Sequence, residues 1–292
     1  MDQRIIDLYD AYTHSRISRR DFMDGATAIA GSAAAASTLL ATLKSDYAKA
    51  ETVPANDPRL VTETVSYDAG GTKINGQLVR LKEKGKRPAV IVVHENRGLM
   101  PHIQDVARRV ALEGFLVLAV DMLTPYGGTP MDNEDKAREA FAANIKPDET
   151  ASRIAAAVPF MEKHAESTGK VGAVGFCWGG GMVDRVAILS PNLAAGVAYY
   201  GPIPPLDKVA DIKAPLLLHY AGLDTNVNPK IPEFEAALKA NNKKYTLYMY
   251  DNVNHAFNND TAGPRYNKEA ADLAWGRTIA FLKENLGAPP RA

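Results

Sequence analysis

Cysteine occurs once in the 292 residues, at Cys177. That excludes an intrachain disulfide, and no Cys/His spacing of a structural zinc site is present. The chain also lacks an excess of either charge: 34 Lys and Arg balance 34 Asp and Glu, so no global field draws it to nucleic acid or an anionic membrane. It has no HExxH run and no internal repeat. The Gly179-Gly180-Gly181 run lacks both Rossmann spacing and the later acid of a dinucleotide site. What is present is an apolar fraction of 46%, enough for a sizeable globular core. The chemistry is therefore sought in side chains alone, with no cofactor and no metal expected.

The first 50 residues read as separate from that core. Ser18-Arg19-Arg20-Asp21-Phe22-Met23 is a twin-arginine pattern, followed by a weakly apolar stretch (25–43) and a small-x-small site at Ala48-Lys49-Ala50. A leader over 1–50 would imply export of a folded protein to a bacterial periplasm or beyond. The alternative is an ordinary amphipathic helix in a cytoplasmic protein. Gly, Ser and Thr dilute the run below a stable transmembrane helix, so no lasting membrane insertion is expected after processing. Residues 51–61, polar with two prolines, read as a linker to a single domain over 62–292.

Within that domain, residues 64–67 and 73–81 pattern as a hairpin. Buried strands over 88–94, 115–120, 171–176, 194–200, 215–220 and 245–250 then alternate with helices over 103–112, 134–144, 149–166, 182–189, 233–241 and 269–285. Near-continuous apolar strands separated by helices predict an α/β fold, a mostly parallel sheet with helices on both faces. Right-handed crossovers put the strand C-terminal ends on one edge, where ligands bind.

The lone cysteine sits at such an end, in Gly175-Phe176-Cys177-Trp178-Gly179-Gly180. A strand ending in G-x-nucleophile-x-G and running into a helix is the nucleophile elbow of the α/β-hydrolase fold. Asp224 follows the strand at 215–220 and His255 the strand at 245–250, in the chain order nucleophile, acid, histidine. His255 would accept the thiol proton and later protonate the leaving group, with Asp224 fixing its tautomer. Taken alone, Asp224 reads equally well as an Asx-turn residue. The backbone N–H groups of Trp178 and Asn96 would form an oxyanion hole. Glu95, a carboxylate at the end of a buried strand, needs a partner. A metal pair of His94 and Glu95 with His219 or His255 is the lesser alternative, since no carboxylate cluster supports it.

Together the elbow, Glu95, the A-G-x-D at Ala221–Asp224 and the H-x-F at His255–Phe257 resemble the dienelactone hydrolases (carboxymethylenebutenolidases) over residues 62–286. Within that family, His94-Glu95-Asn96-Arg97-Gly98-Leu99 looks like a bacterial subgroup that often carries twin-arginine leaders. The resemblance implies a cofactor-independent hydrolase of small esters or lactones. It implies Cys177 as nucleophile, His255 as base, Asp224 as orienting acid, and Glu95 as the carboxylate contacting the resting thiol. Two arginines that would hold a substrate carboxylate are missing: no arginine occurs in 121–126, and Asn259 stands four residues after the triad histidine. Asn cannot reproduce a bidentate cation, so specificity is expected to differ from a dienelactone. Arg97, Tyr126 and Phe257 are the expected pocket residues, with Arg265 another possible source of charge. Other readings of the same scaffold are a thiol redox sensor or ligand-binding protein, and a peptidase. Oligomeric state is not legible.

Overall fold

Alternation along the central strands divides the core into two layers. In β3 (Arg87–Val93), Ile91 and Val93 belong to one apolar cluster while Val90 and Val92 belong to the other. Successive side chains of a strand point to opposite faces, so a run of seven buried residues requires cover on both. The computed structural model describes residues 1–47 and 51–289. The expected small-x-small site at residues 48–50 lies outside the described residues.

The strands are β1 (Leu60–Asp68), β2 (Lys73–Leu81), β3, β4 (Leu116–Asp121), β5 (Ser167–Phe176), β6 (Ala195–Tyr199), β7 (Leu216–Ala221) and β8 (Tyr245–Tyr250). They form one eight-stranded sheet in the order β1-β2-β4-β3-β5-β6-β7-β8. The β1–β2 hairpin and the β2–β4 pairing are antiparallel, and every pairing from β4 to β8 is parallel. On one face α4 (Pro101–Leu112) and α10 (Lys268–Leu286) bury Val106, Val110 and Leu282 against Val90, Val92 and Val197. On the other, α6 (Pro147–Ala155), α7 (Ala157–Glu162), α8 (Trp178–Leu189) and α9 (Ile231–Ala240) bury Ile154, Val158, Val183 and Phe234. This is the α/β-hydrolase arrangement expected from the strand and helix pattern.

Two expectations are corrected. The helix over 149–166 is two helices broken at Ala156, because Pro159 has no N–H to give the carbonyl four residues earlier. Residues 51–61 are no free linker. The Val53 N–H donates to Asp105 Oδ1 at 2.8 Å, the Val53 carbonyl accepts from Arg108 Nε at 2.7 Å, and β1 already begins at Leu60.

The N-terminal residues fold as α1 (Gln3–Thr13), α2 (Arg19–Ala30) and α3 (Ala33–Leu43) around their own apolar centre of Ile5, Tyr9, Phe22, Leu40 and Leu43. The Arg-Arg run opens α2 beneath a capping box: Asp21 N–H donates to Ser18 Oγ, and Ser18 N–H to Asp21 Oδ2. No single described helix is long and apolar enough to cross a membrane, and α2 and α3, which together would be, meet at 114°. Neither this apolar centre nor its docking is expected from the sequence, which reads as a leader or a single amphipathic helix. This unit lies over the strand C-terminal edge through polar contacts. Asn96 Nδ2 donates to the Thr13 carbonyl at 2.8 Å, Asn226 Nδ2 to Asp10 Oδ2 at 2.5 Å, and Gln3 Nε2 to Asn254 Oδ1 at 2.6 Å. Arg265 stacks on Tyr9, its guanidinium carbon 4.9 Å from the ring centre.

Candidate active site

The turn from β5 into α8 leaves no room for side chains on its glycines. A Cβ on Gly175 would lie 2.1 Å from the Gly179 carbonyl oxygen, and one on Gly179 would lie 2.4 Å from that of Val93. Between them Cys177 adopts φ 56° and ψ −122°, a conformation costing an L-residue on the order of 1–3 kcal/mol. The Cys177 N–H donates to the Tyr199 carbonyl at 3.0 Å, tying the strained residue to β6. Its thiol, 5% exposed, opens onto a cavity of about 330 Å³ above the sheet edge.

After β7, Asp224 divides its carboxylate between two tasks. Oδ1 accepts from the N–H groups of Asn226 and Val227, both at 3.0 Å, and Oδ2 bonds His255 Nδ1 at 2.6 Å. The Asx-turn and the histidine partner, weighed above as alternatives, are both present. Burial favours the neutral acid, but His255 outweighs it and holds Asp224 below the ordinary carboxylate range. Burial likewise opposes charge on His255, yet Asp224, Asp10 and Cys177 raise it well above the ordinary imidazole value. His255 Nε2 is buried and without a hydrogen-bond partner among the described residues, and a ring nitrogen of His255 lies within 4.8 Å of Cys177 Sγ.

The sulfur's hydrogen-bond partner is a different residue. His14, just past the end of α1, brings Nε2 to 3.2 Å from Sγ. Its Nδ1 lies 2.8 Å from the Asp10 carbonyl oxygen and 3.2 Å from Asp10 Oδ1. The His14 and His255 rings meet edge to face at 4.9 Å. Burial opposes charge on His14, but Cys177 and Asp10 raise it to about 10. Burial would raise the thiol, but His14 first and His255 second lower it to about 6. Among the described residues, His14, Cys177 and His255 are also the group whose ligand atoms could hold a metal ion. His94 and His219 are not: His94 uses both ring nitrogens, on the Glu95 carbonyl and the Met122 N–H, and His219 bonds Tyr250 and Thr278.

The other expected residues divide. The Trp178 N–H opens α8 and has no intrahelical acceptor, and Asn96 lines the cavity. Glu95, expected at the resting thiol, instead accepts from Asn259 Nδ2 at 3.0 Å. Asn259 Oδ1 is in turn fixed by the N–H and hydroxyl of Thr261. The position expected to hold an arginine therefore supplies the partner that buried Glu95 needs.

All three expected pocket residues lie elsewhere. Arg97 is buried in an ion pair with Glu134 of α5 (Glu134–Asn144), Nε to Oε2 3.5 Å. Tyr126 sits on an exposed turn and accepts from Arg153 at 3.2 Å, because the loop after β4 turns outward. Phe257 is fully buried, packed against Tyr200 and Tyr250 beneath the site. The cavity wall is made instead by Thr13, His14 and Arg16 of the N-terminal unit and by Arg138 and Phe141 of α5. These residues were missed because nothing local marks them. The Asp10–His14 spacing of four was the one available signal, and such pairs are common on helix surfaces.

Comparison with known proteins agrees with the architecture. Residues 74–286 match the "Dienelactone hydrolase family", and residues 1–31 match a family described as "YqhI-like". A protein of Escherichia coli O157:H7 named "Putative carboxymethylenebutenolidase" is 30% identical over 271 residues, covering 88% of this chain and 96% of that protein. A Bradyrhizobium protein named "Probable 2-oxo-3-(5-oxofuran-2-ylidene)propanoate lactonase" is 30% identical over 245 residues, 78% of this chain and 98% of its own. The crystal structure of a "Putative Dienelactone Hydrolase" from Klebsiella pneumoniae superposes with a TM-score of 0.70 at 26% identity, covering 77% of this chain and 99% of that one.

Proposed function

The chain belongs to the dienelactone hydrolase family and is a hydrolase of esters or lactones; from that premise we propose that it works through Cys177, His255 and Asp224, with a backbone oxyanion hole. The observation that carries this reading is His255: Nδ1 held by Asp224 at 2.6 Å, and Nε2 buried beside the sulfur with no hydrogen-bond partner among the described residues, where it can exchange a proton.

In the first step the thiolate attacks the carbonyl carbon, a C–S bond forms, and the carbonyl electron pair moves to oxygen. The N–H groups of Trp178 and Asn96 receive that charge. As the intermediate collapses, the C–O bond to the alcohol breaks and His255 Nε2 donates its proton to the departing oxygen. His255 then takes a proton from water, hydroxide attacks the thioester, and the thiolate leaves with the acid released. Asp224 steadies each imidazolium without taking the proton itself.

The cavity suits a small acyl group, and specificity is set by walls this chain does not share with the family pattern. Asn259 is committed to Glu95, while Arg138, which donates to the Tyr12 hydroxyl at 3.1 Å, flanks the cavity with its Nε buried and without a hydrogen-bond partner among the described residues. That arginine favours a second reading in which a carboxylated ester or lactone binds from a new direction. The test is a panel of short esters and lactones, with and without a carboxylate, run on wild type and Cys177→Ala. Cys177→Ala is expected to lose at least about 10³-fold in kcat on every substrate. Wild-type turnover in that variant would overturn the nucleophile assignment. Preference for the carboxylated members, lost in Arg138→Gln, would support the second reading; its persistence in that variant would refute it.

A further inference from the structure

We propose that His14 is a further catalytic residue, a second histidine that the N-terminal unit supplies to hold the resting sulfur as a thiolate. The inference rests on the reading of Cys177 as nucleophile. Geometry carries it. His14 Nε2 is on the sulfur at 3.2 Å, and its other nitrogen is fixed by Asp10 through both the main-chain carbonyl and the carboxylate.

Asp10 is itself held in place. Its carboxylate receives Asn226 Nδ2 at 2.5 Å and has Arg16 Nη1 at 3.8 Å, and the side chain is 7% exposed. A buried carboxylate this far from bulk water needs positive charge opposite it, and the nearest imidazole is His14. The segment is anchored so that the histidine cannot drift: Thr13, its neighbour, accepts from Asn96 at 2.8 Å. The sulfur thus stands between two His–Asp pairs, one built from strand ends of the domain and one from the N-terminal helix.

The charges around the sulfur come from every side of the site. His14 and His255 face it directly, with Asp10 and Asp224 behind them. Glu95 and Tyr200, at the ends of β3 and β6, lie near enough to act on one another, and Arg265 acts on Asp10. The two imidazoles are the positive members of this group next to sulfur. An ion pair formed before substrate arrives removes one proton transfer from the acylation step, because the attacking sulfur already lacks its proton. Through acylation His14 keeps its proton while His255 gives one to the leaving group. On deacylation the returning thiolate finds the same counter-ion waiting. A chain cut after residue 50 would lose both His14 and Asp10, so on this account the N-terminal unit stays with the working enzyme.

The test uses the full chain. Alkylation of Cys177 by iodoacetamide is followed against pH in wild type, His14→Ala and His14→Gln, with thermal melts to establish folding. Wild type should give a midpoint near 6, and both variants should move it upward by at least about one unit. Turnover of an activated short ester should fall about 10- to 100-fold in both. Gln keeps the size and a hydrogen bond but not the charge, so a merely structural role would be rescued by it. If His14→Gln alkylates and turns over like wild type, the proposal is wrong. If Cys177→Ala retains turnover, the nucleophile reading fails instead, and the two failures are told apart by that variant alone.

Discussion

His255 and His14 approach the same sulfur and are built in opposite ways. His255 comes from the loop after β8 and takes its partner from the loop after β7, 31 residues earlier. His14 takes its partner from its own helix, four residues back. Among the described residues the first has an Nε2 with no hydrogen-bond partner, and the second has its Nε2 on the sulfur. A proton carrier needs a free nitrogen that can turn from one oxygen to another; a counter-ion needs a fixed one. The difference in their bonding divides the two roles that a single catalytic histidine usually combines.

Removing the proposed proton carrier, His255, should therefore cost most. His255→Ala is expected to reduce kcat at least 10²- to 10⁴-fold, as loss of a general acid–base does. A smaller loss there than in His14→Ala, measured on one activated ester, would reverse the assignment of roles. Asp224→Asn should follow, at about 10²-fold or more, because among the described residues His255 Nδ1 is hydrogen-bonded to Asp224 alone and the wrong tautomer becomes accessible. Asp10→Asn should be milder, under about tenfold, since His14 keeps its bond to the Asp10 main-chain carbonyl at 2.8 Å. Equal losses in these two variants would erase the distinction between the pairs.

The smallest effect concerns an acid with no histidine. Asp184 of α8 is fully buried, neither oxygen has a hydrogen-bond partner among the described residues, and burial raises it well above the ordinary carboxylate value. A raised acid destabilises the fold increasingly as pH climbs above the unfolded-state value near 3.8. Asp184→Asn should thus raise Tm little at pH 4 and more at pH 8. A gain independent of pH would mean that the carboxyl is not the neutral group its surroundings require. Asp10 and Asp224, also buried, are held charged, each facing a histidine that outweighs the cost of burial.

The readable half of this site is the half made by the sheet. Gly175 and Gly179 announce the elbow because the backbone crossing there tolerates no Cβ, and that requirement is written locally. Asp224 and His255 were legible because parallel strands deliver their ends to one edge. Arg97, Tyr126 and Phe257 were misread for want of side-chain direction. Each lies close in sequence to a strand end, but one is buried against Glu134, one faces solvent and one faces the core. The N-terminal contribution left no trace of its target. Ser18-Arg19-Arg20-Asp21 reads as part of an export pattern, and in the fold Ser18 and Asp21 form the capping box of α2. Where α1 docks depends on Asn96, Asn226 and Asn254, three amides far apart in the sequence, whose pairing no periodicity records.

The central claim, that Cys177 attacks the substrate, is tested most directly by rapid acid quench of wild type with an activated acetyl ester, followed by peptide mass analysis. A single acetyl group on the peptide carrying Cys177, forming and decaying within one turnover, is the predicted result. Acetyl found on another residue, with Cys177 unmodified while turnover proceeds, would contradict it.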